Sequence, residues 1–154
     1  MLNTSLCYIK CKDKVLMLHR TKKQEDPNEG KWIGIGGKFM ENESPEECML
    51  REVYEETGIR LESWQYRAVV TFVSDKWEGE YMHLFTADTE KDITADCSEG
   101  ELCWVEEDKI TNLNLWEGDR VFLELIQKDE PFFSLKLTYE GSKLKEALLN
   151  GKTI

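Results

Sequence analysis

The chain has 154 residues, 40% of them hydrophobic, and a formal net charge of −11 at pH 7, which is material for one core and an expected single domain over residues 1–154. Such acidity argues against a nucleic-acid partner bound by charge neutralisation, and the longest early apolar run, Val15 to Leu18, is too short for a signal core or a membrane span, so a cytoplasmic location is expected. Five cysteines with no C-x2-C pair point to reduced, mostly buried thiols rather than a zinc site or a disulfide framework.

In chain order, residues 3–11 and 14–20 read as a hairpin of strands about Lys12 and Asp13, followed by a polar loop from Thr21 to Lys31 placed near the functional site. Trp32 to Gly37 is a short strand and glycine-rich turn. Ser44 and Glu47 then make a capping box, Pro45 takes the first helical position and Gly58 supplies a left-handed terminator, so residues 45–57 are predicted helical. Met49, Leu50, Val53 and Thr57 form the face of that helix that packs on a sheet. Tyr66 to Ser74 and Tyr81 to Ala87 read as a second hairpin across Asp75 to Glu80, and Leu102 to Val105 as a further strand. A helix from about Glu117 to Lys128 precedes a strand from Phe132 to Tyr139, and Lys143 to Leu149 fits either a short helix or an extended edge. Strands on both sides of two helices predict an α/β/α sandwich with a mixed central sheet.

The predicted helix carries Glu52, Glu55 and Glu56 at positions i, i+3 and i+4, so three carboxylates share one face beside Arg51. Their mutual repulsion calls for a cation, and hard oxygen ligands suit Mg²⁺ or Mn²⁺ better than Zn²⁺. An isolated E-x-x-E-E is ordinarily a solvated helix face. The whole spacing from Gly37 to Ile59 decides otherwise, because it reads G-x5-E-x7-R-E-U-x-E-E-x-G-U with Val53 and Ile59 as the bulky aliphatics. That run resembles the Nudix hydrolase signature at every fixed position. The resemblance implies that Glu52, Glu55 and Glu56 hold metal, with the Gly36 carbonyl adding a ligand, and that the reaction hydrolyses a nucleoside diphosphate linked to another moiety. Glu52 is the candidate general base. Glu43 and Arg51 are read chiefly as a pair that fixes the loop over the helix start, with Arg51 kept among the catalytic candidates. A further acidic ligand from a distant loop falls on Glu99, with Glu101 one pleat further on and less suitably directed.

The W-I-G-I-G-G-K run at Trp32 to Lys38 and the L-W-E-G-D segment at Leu115 to Asp119 are similar to MutT-like nucleoside triphosphatases that act on oxidised purine nucleotides. The resemblance implies that Trp116 stacks on the purine and Asp119 reads its edge, while the plainer alternative has Trp116 plugging the core. Ile33 stands where that branch often has an asparagine, so the substrate contact there becomes apolar. Arg20 and Lys38, and after them Lys22 and Lys23, are candidate phosphate-binding cations, though each is read as an ordinary surface residue before it is read as a ligand contact. His19 and His83 are read as structural before they are read as ligand contacts. No phosphate-binding G-x-x-x-x-G-K-[ST] loop occurs, and Ser74 to Trp77 carry neither the proline of ADP-ribose hydrolases nor the tyrosine of dinucleoside polyphosphate hydrolases. The expected activity is Mg²⁺-dependent hydrolysis of a nucleoside or deoxynucleoside triphosphate, a purine that includes oxidised forms such as 8-oxo-dGTP, to the monophosphate and pyrophosphate. The alternatives are another nucleoside diphosphate derivative or a non-catalytic nucleotide sensor. The expected partner is the small-molecule nucleotide, with neither nucleic acid nor membrane, on a monomer or homodimer.

Overall fold

The computed structural model describes residues 1–21, 26–90 and 101–154. Strands β1 (Leu2–Cys11) and β2 (Lys14–His19) form the first hairpin, followed by β3 (Trp32–Ile33), β4 (Ile35–Lys38) and helix α1 (Pro45–Thr57). Then come β5 (Trp64–Ser74), β6 (Glu80–Asp88), β7 (Glu101–Glu106), a single 3-10 helix (Glu107–Asn112), α2 (Glu117–Gln127), β8 (Phe133–Glu140), β9 (Lys143–Leu149) and β10 (Lys152–Thr153). Among the described residues the strands build one mixed sheet in the order β10-β9-β8-β5-β6-β1-β2-β3, with β4 on β1 and β7 on β2. β1 runs parallel to β6 and β5 parallel to β8, and the remaining pairs are antiparallel.

Period-2 alternation divides each strand between two cores. Cys7, Ile9, Leu16, Leu18 and Phe85 pack with Met49, Val53 and Ile59 on the α1 side. Tyr8, Val15, Met17, Val70 and Leu84 pack with Phe122, Leu123 and Trp116 on the α2 side. The arrangement is therefore the expected α/β/α sandwich, each fully buried aliphatic or aromatic side chain contributing about 1.5–3 kcal/mol of transfer energy.

Helix α1 occupies the predicted residues. The Ser44 hydroxyl accepts from the Glu47 amide at 3.1 Å, the Glu47 carboxylate accepts from the Ser44 amide at 3.0 Å, and Gly58 ends the helix at φ 76°. Helix α2 begins without a side-chain cap on Trp116. Instead the Gly118 amide donates to the Tyr139 hydroxyl at 2.7 Å, so a β8 side chain satisfies an amide that a cap would otherwise serve.

Two stretches depart from the sequence expectation, and a third, Lys143 to Leu149, takes one of the two forms it allowed. Trp32 to Gly37 is two strands, because β3 pairs with β2 while β4 pairs with β1. The stretch before Trp116 holds the 3-10 helix, which carries no periodic apolar signature. Lys143 to Leu149 is extended, since it completes a hairpin with β8 through a turn with Gly141 at φ 60°. Cys7, Cys11 and Cys48 are buried free thiols and Cys103 is exposed, while Cys97 lies outside the described residues.

Candidate active site

Backbone packing explains two glycines at the centre of the site. Gly36 sits opposite Leu6 in the β1–β4 ladder, and a Cβ there would lie 1.8 Å from the Ser5 carbonyl oxygen. A Cβ on Gly37 would lie 2.5–2.7 Å from the Glu52 carboxyl atoms. Gly37 thus leaves a seat on β4 into which the first glutamate of the predicted trio fits, and α1 is anchored by Met49 and Val53 so that Glu52 reaches it.

Arg51 organises the acids around that seat. Its Nε and Nη2 donate to the two Glu43 oxygens at 2.7 and 2.9 Å, and Nη2 also donates to the Lys38 carbonyl at 3.1 Å. Its Nη1 donates to Glu52 at 2.8 Å and to Glu55 at 3.2 Å. The bidentate Glu43 pair ties the loop after β4 to the helix, as the sequence reading assigned. Hydrogen bonding from Arg51 holds the Glu43 carboxyl down at about 2, and the same pairing raises the guanidinium further above its usual range. Glu56, one residue past Glu55, is half-buried.

Among the described residues no three His, Cys, Asp or Glu side chains converge at metal-binding spacing. The Arg51 guanidinium lies between Glu52 and Glu55, where the sequence expectation placed a cation, so one positive group already draws these two carboxylates together. The donor set remains all-oxygen, with Glu52, Glu55, Glu56 and the backbone carbonyls of the glycine turn. That set suits Mg²⁺ or Mn²⁺ and lacks the nitrogen or sulfur donors that would favour zinc.

A cavity of about 730 Å³ opens from this seat, a size that accommodates a small ligand. It brings together Arg20, Ile33, Gly36, Lys38, Arg51, Glu52, Trp116 and Asp119. Glu55 and Glu56 are not in its wall, and Glu99, with Lys22 and Lys23, lies outside the described residues. Arg20 lines the cavity while bonded to Asp26 at 2.8 Å, so much of its charge is answered within the protein. The Asp26 to Asn28 stretch of the polar loop does border the site. His19 stacks on Trp32 with ring centroids 4.4 Å apart, and His83 is hydrogen-bonded to Tyr66 and Asn3. Both histidines are thus engaged by contacts within the protein.

Trp116 stands at the boundary between the cavity and the core. It lines the cavity, yet it is buried against Phe72 and Tyr139 in edge-to-face contacts, and its Nε1 donates to Asn28 Oδ1 at 2.8 Å. Asp119, in the first turn of α2, is 7% exposed. Burial pushes its carboxyl up to about 7, with the Glu80 charge adding to the rise and Lys31 and Arg120 opposing it. Glu80, at the start of β6, also lines the cavity, and burial raises it too, partly offset by a Thr4 hydrogen bond. Sequence reasoning missed Glu80 because it was assigned to the turn of the β5–β6 hairpin. Its only signal is position: it precedes Met82 and Leu84 at strand spacing and so shares their face.

Comparisons with known proteins give matches over two thirds or more of the chain. A family model described as NUDIX domain matches residues 2–126. An uncharacterized Nudix hydrolase, YvcI, of Bacillus subtilis is 32% identical over 139 residues, covering 86% of this chain and 84% of that one. An oxidized purine nucleoside triphosphate hydrolase of Danio rerio is 29% identical over 107 residues, covering 67% of each. The crystal structure of a MutT protein from Bacillus halodurans superposes with a TM-score of 0.85 over 99% of both chains at 22% identity, a likeness of fold.

Proposed function

The chain belongs to the NUDIX domain family as a Nudix hydrolase, and from that premise we propose that it hydrolyses a purine nucleoside or deoxynucleoside triphosphate, oxidised forms included, to the monophosphate and pyrophosphate. The observation that carries this reading is one cavity that joins the Glu52 and Arg51 seat to a pocket walled by Trp116, Asp119 and apolar side chains. A triphosphate needs both ends. The Danio rerio relative, named for oxidized purine triphosphates, supports the same substrate class.

In this reading the purine lies against Trp116 and Ile33, and Asp119 bonds its edge. Lys38, at the end of β4, and Arg20, tempered by Asp26, supply positive charge toward the phosphates. A divalent Mg²⁺ or Mn²⁺ held by Glu52, Glu55 and Glu56, with the Gly36 carbonyl and Glu99 as further oxygen donors, would neutralise phosphate oxygens. Glu52, seated on Gly37, takes the proton from an attacking water. The water oxygen bonds to phosphorus as the bridge between the α- and β-phosphates breaks, and the bridging oxygen leaves with pyrophosphate. Arg51 serves by keeping Glu52 and the loop carrying Glu43 in place. Residues 1–154 act as one domain, a reading supported by Leu137 and Tyr139 of β8, which lie beyond the 2–126 family match yet line the cavity.

A hydrolysis screen with Mg²⁺ over ordinary and oxidised purine and pyrimidine triphosphates, ADP-ribose and dinucleoside tetraphosphate tests the reading. Purine triphosphates are expected to lead. Faster turnover of ADP-ribose or dinucleoside tetraphosphate would overturn the substrate class, and absence of turnover on every compound would favour a nucleotide sensor.

A further inference from the structure

The cavity floor contains an acid where the strand pattern calls for an apolar residue. Along β6, Met82 and Leu84 face the α2 core, and Glu80 shares that face two residues earlier. Its cross-strand partners are Leu2 on β1 and Phe72 on β5, both in the cavity wall. An ionisable group between two apolar neighbours is expensive to bury unless something bonds to it. Thr4 supplies one hydrogen bond, and Lys38 is the cation that acts on it. Asp119 enters the same cavity from the other layer, on the first turn of α2. Ile33, on β3, offers only apolar contact.

We propose that Glu80 and Asp119 together read the base, selecting a purine that presents an amino group beside a ring N–H. This rests on the cavity's being the nucleotide site. Both groups are acceptors when ionised and have one donor each when protonated, so a stretch of wall that sets the two of them among Leu2, Ile33 and Phe72 is best satisfied by a ligand rich in N–H donors. The polar contact that Ile33 does not make passes to Glu80, on the sheet. A base with the ring N–H but no amino group leaves one of the acids without a ligand partner, and a site built for a hydrogen bond rejects the analogue that lacks it.

Guanine and hypoxanthine differ by that one amino group, so dGTP and dITP make the test. The wild-type protein is expected to favour dGTP over dITP by ~tenfold or more in kcat/KM. Glu80→Leu should bring the ratio near unity, through KM for dGTP, with kcat on dITP kept within about twofold. Glu80→Gln, nearly the same shape, should retain part of the preference. Thermal unfolding checks the fold, and Glu80→Leu should melt no lower than wild type because it removes an acid from between Leu2 and Phe72. A dGTP preference unchanged within about twofold in Glu80→Leu would overturn the assignment. Guanosine and inosine, titrated by Trp fluorescence without phosphate or metal, separate this inference from the hydrolytic reading. Preferential guanosine binding lost in Glu80→Leu supports the base reader even if no triphosphate is cleaved, and equal binding of both nucleosides, or of neither, refutes it.

Discussion

The two ends of the cavity use the same functional group in opposite electrostatic settings. At the α1 end, Arg51 bonds to Glu43, Glu52 and Glu55, and the Glu43 carboxyl is held at about 2. At the α2 end, Asp119 acts on Tyr8 and Tyr139 and its amide donates to the Trp116 carbonyl, and burial lifts its carboxyl to about 7. Carboxylates that stay ionised suit phosphate chemistry through a cation, whereas a carboxyl able to hold its proton near neutrality can donate as well as accept toward a base. Under the proposed function, these two environments of the same group would separate a charged reaction end from a base-reading end.

The sharpest way to break this contrast is to remove charge at the α1 end while keeping shape. Glu56→Gln is expected to lower kcat by ~1000-fold, with KM changing far less, in a steady-state assay on dGTP with Mg²⁺. Normal turnover in that variant would detach the helix acids from the chemistry. Gly37→Ala probes the seat itself. The added methyl would stand 2.5–2.7 Å from the Glu52 carboxyl, and the flexible glutamate would have to swing away. Turnover should fall by ~100-fold while the melting temperature moves little, because the displaced atoms are the tip of a side chain and not backbone.

The α2 end makes a different signature, in stability. Asp119 binds its proton more tightly folded than unfolded, since its folded pKa of about 7 lies above the usual 3.8. The native state therefore holds more protons in that range, and stability declines as pH rises from below 3.8 through 7. Between pH 5 and 8 the loss from this one group is ~3 kcal/mol by linkage. Chemical denaturation across that range should show the decline in wild type and a much flatter profile in Asp119→Asn. Some slope will remain, because burial raises Glu80 in the same direction. An identical slope in the variant would mean that Asp119 ionises freely in the folded chain.

How much of this was legible in the sequence follows the range of the interactions involved. Helix α1 was fully readable because Ser44, Glu47, Pro45 and Gly58 act within a few residues of one another. The Glu43–Arg51 pair was readable for the same reason, with eight residues between loop and helix. Glu80 was not, since it was read into the hairpin turn and its place beside Leu2 depends on a parallel pairing of β1 with β6 across nearly eighty residues. The Arg20–Asp26 bond was missed despite its short range, because no regular element fixes how Asp26 faces the strand end, and it turns a candidate phosphate cation toward its own loop. The convergence of Glu52 and Glu55 on Arg51 escaped prediction because helical spacing fixes which face the acids share but not which partner they turn to.

The smallest expected effect on catalysis belongs to Trp116, whose two roles can be separated by which quantity moves. As a core residue it contacts Phe72 and Tyr139 and is tied by Nε1 to Asn28, so Trp116→Ala should cost ~3–5 kcal/mol of stability whatever else the residue does. As a base platform it should also change the ranking of purine over pyrimidine triphosphates, by ~fivefold in KM, with kcat nearly untouched because the Glu52 seat is built by β4 and α1. Trp116→Phe supplies the control: it keeps a flat apolar ring while losing the Asn28 bond. If the Phe variant restores the base ranking but not full stability, stacking is the functional contribution of the indole and the hydrogen bond a structural one. A ranking identical in wild type and both variants would leave Trp116 as packing alone and assign the recognition of the base to the acids.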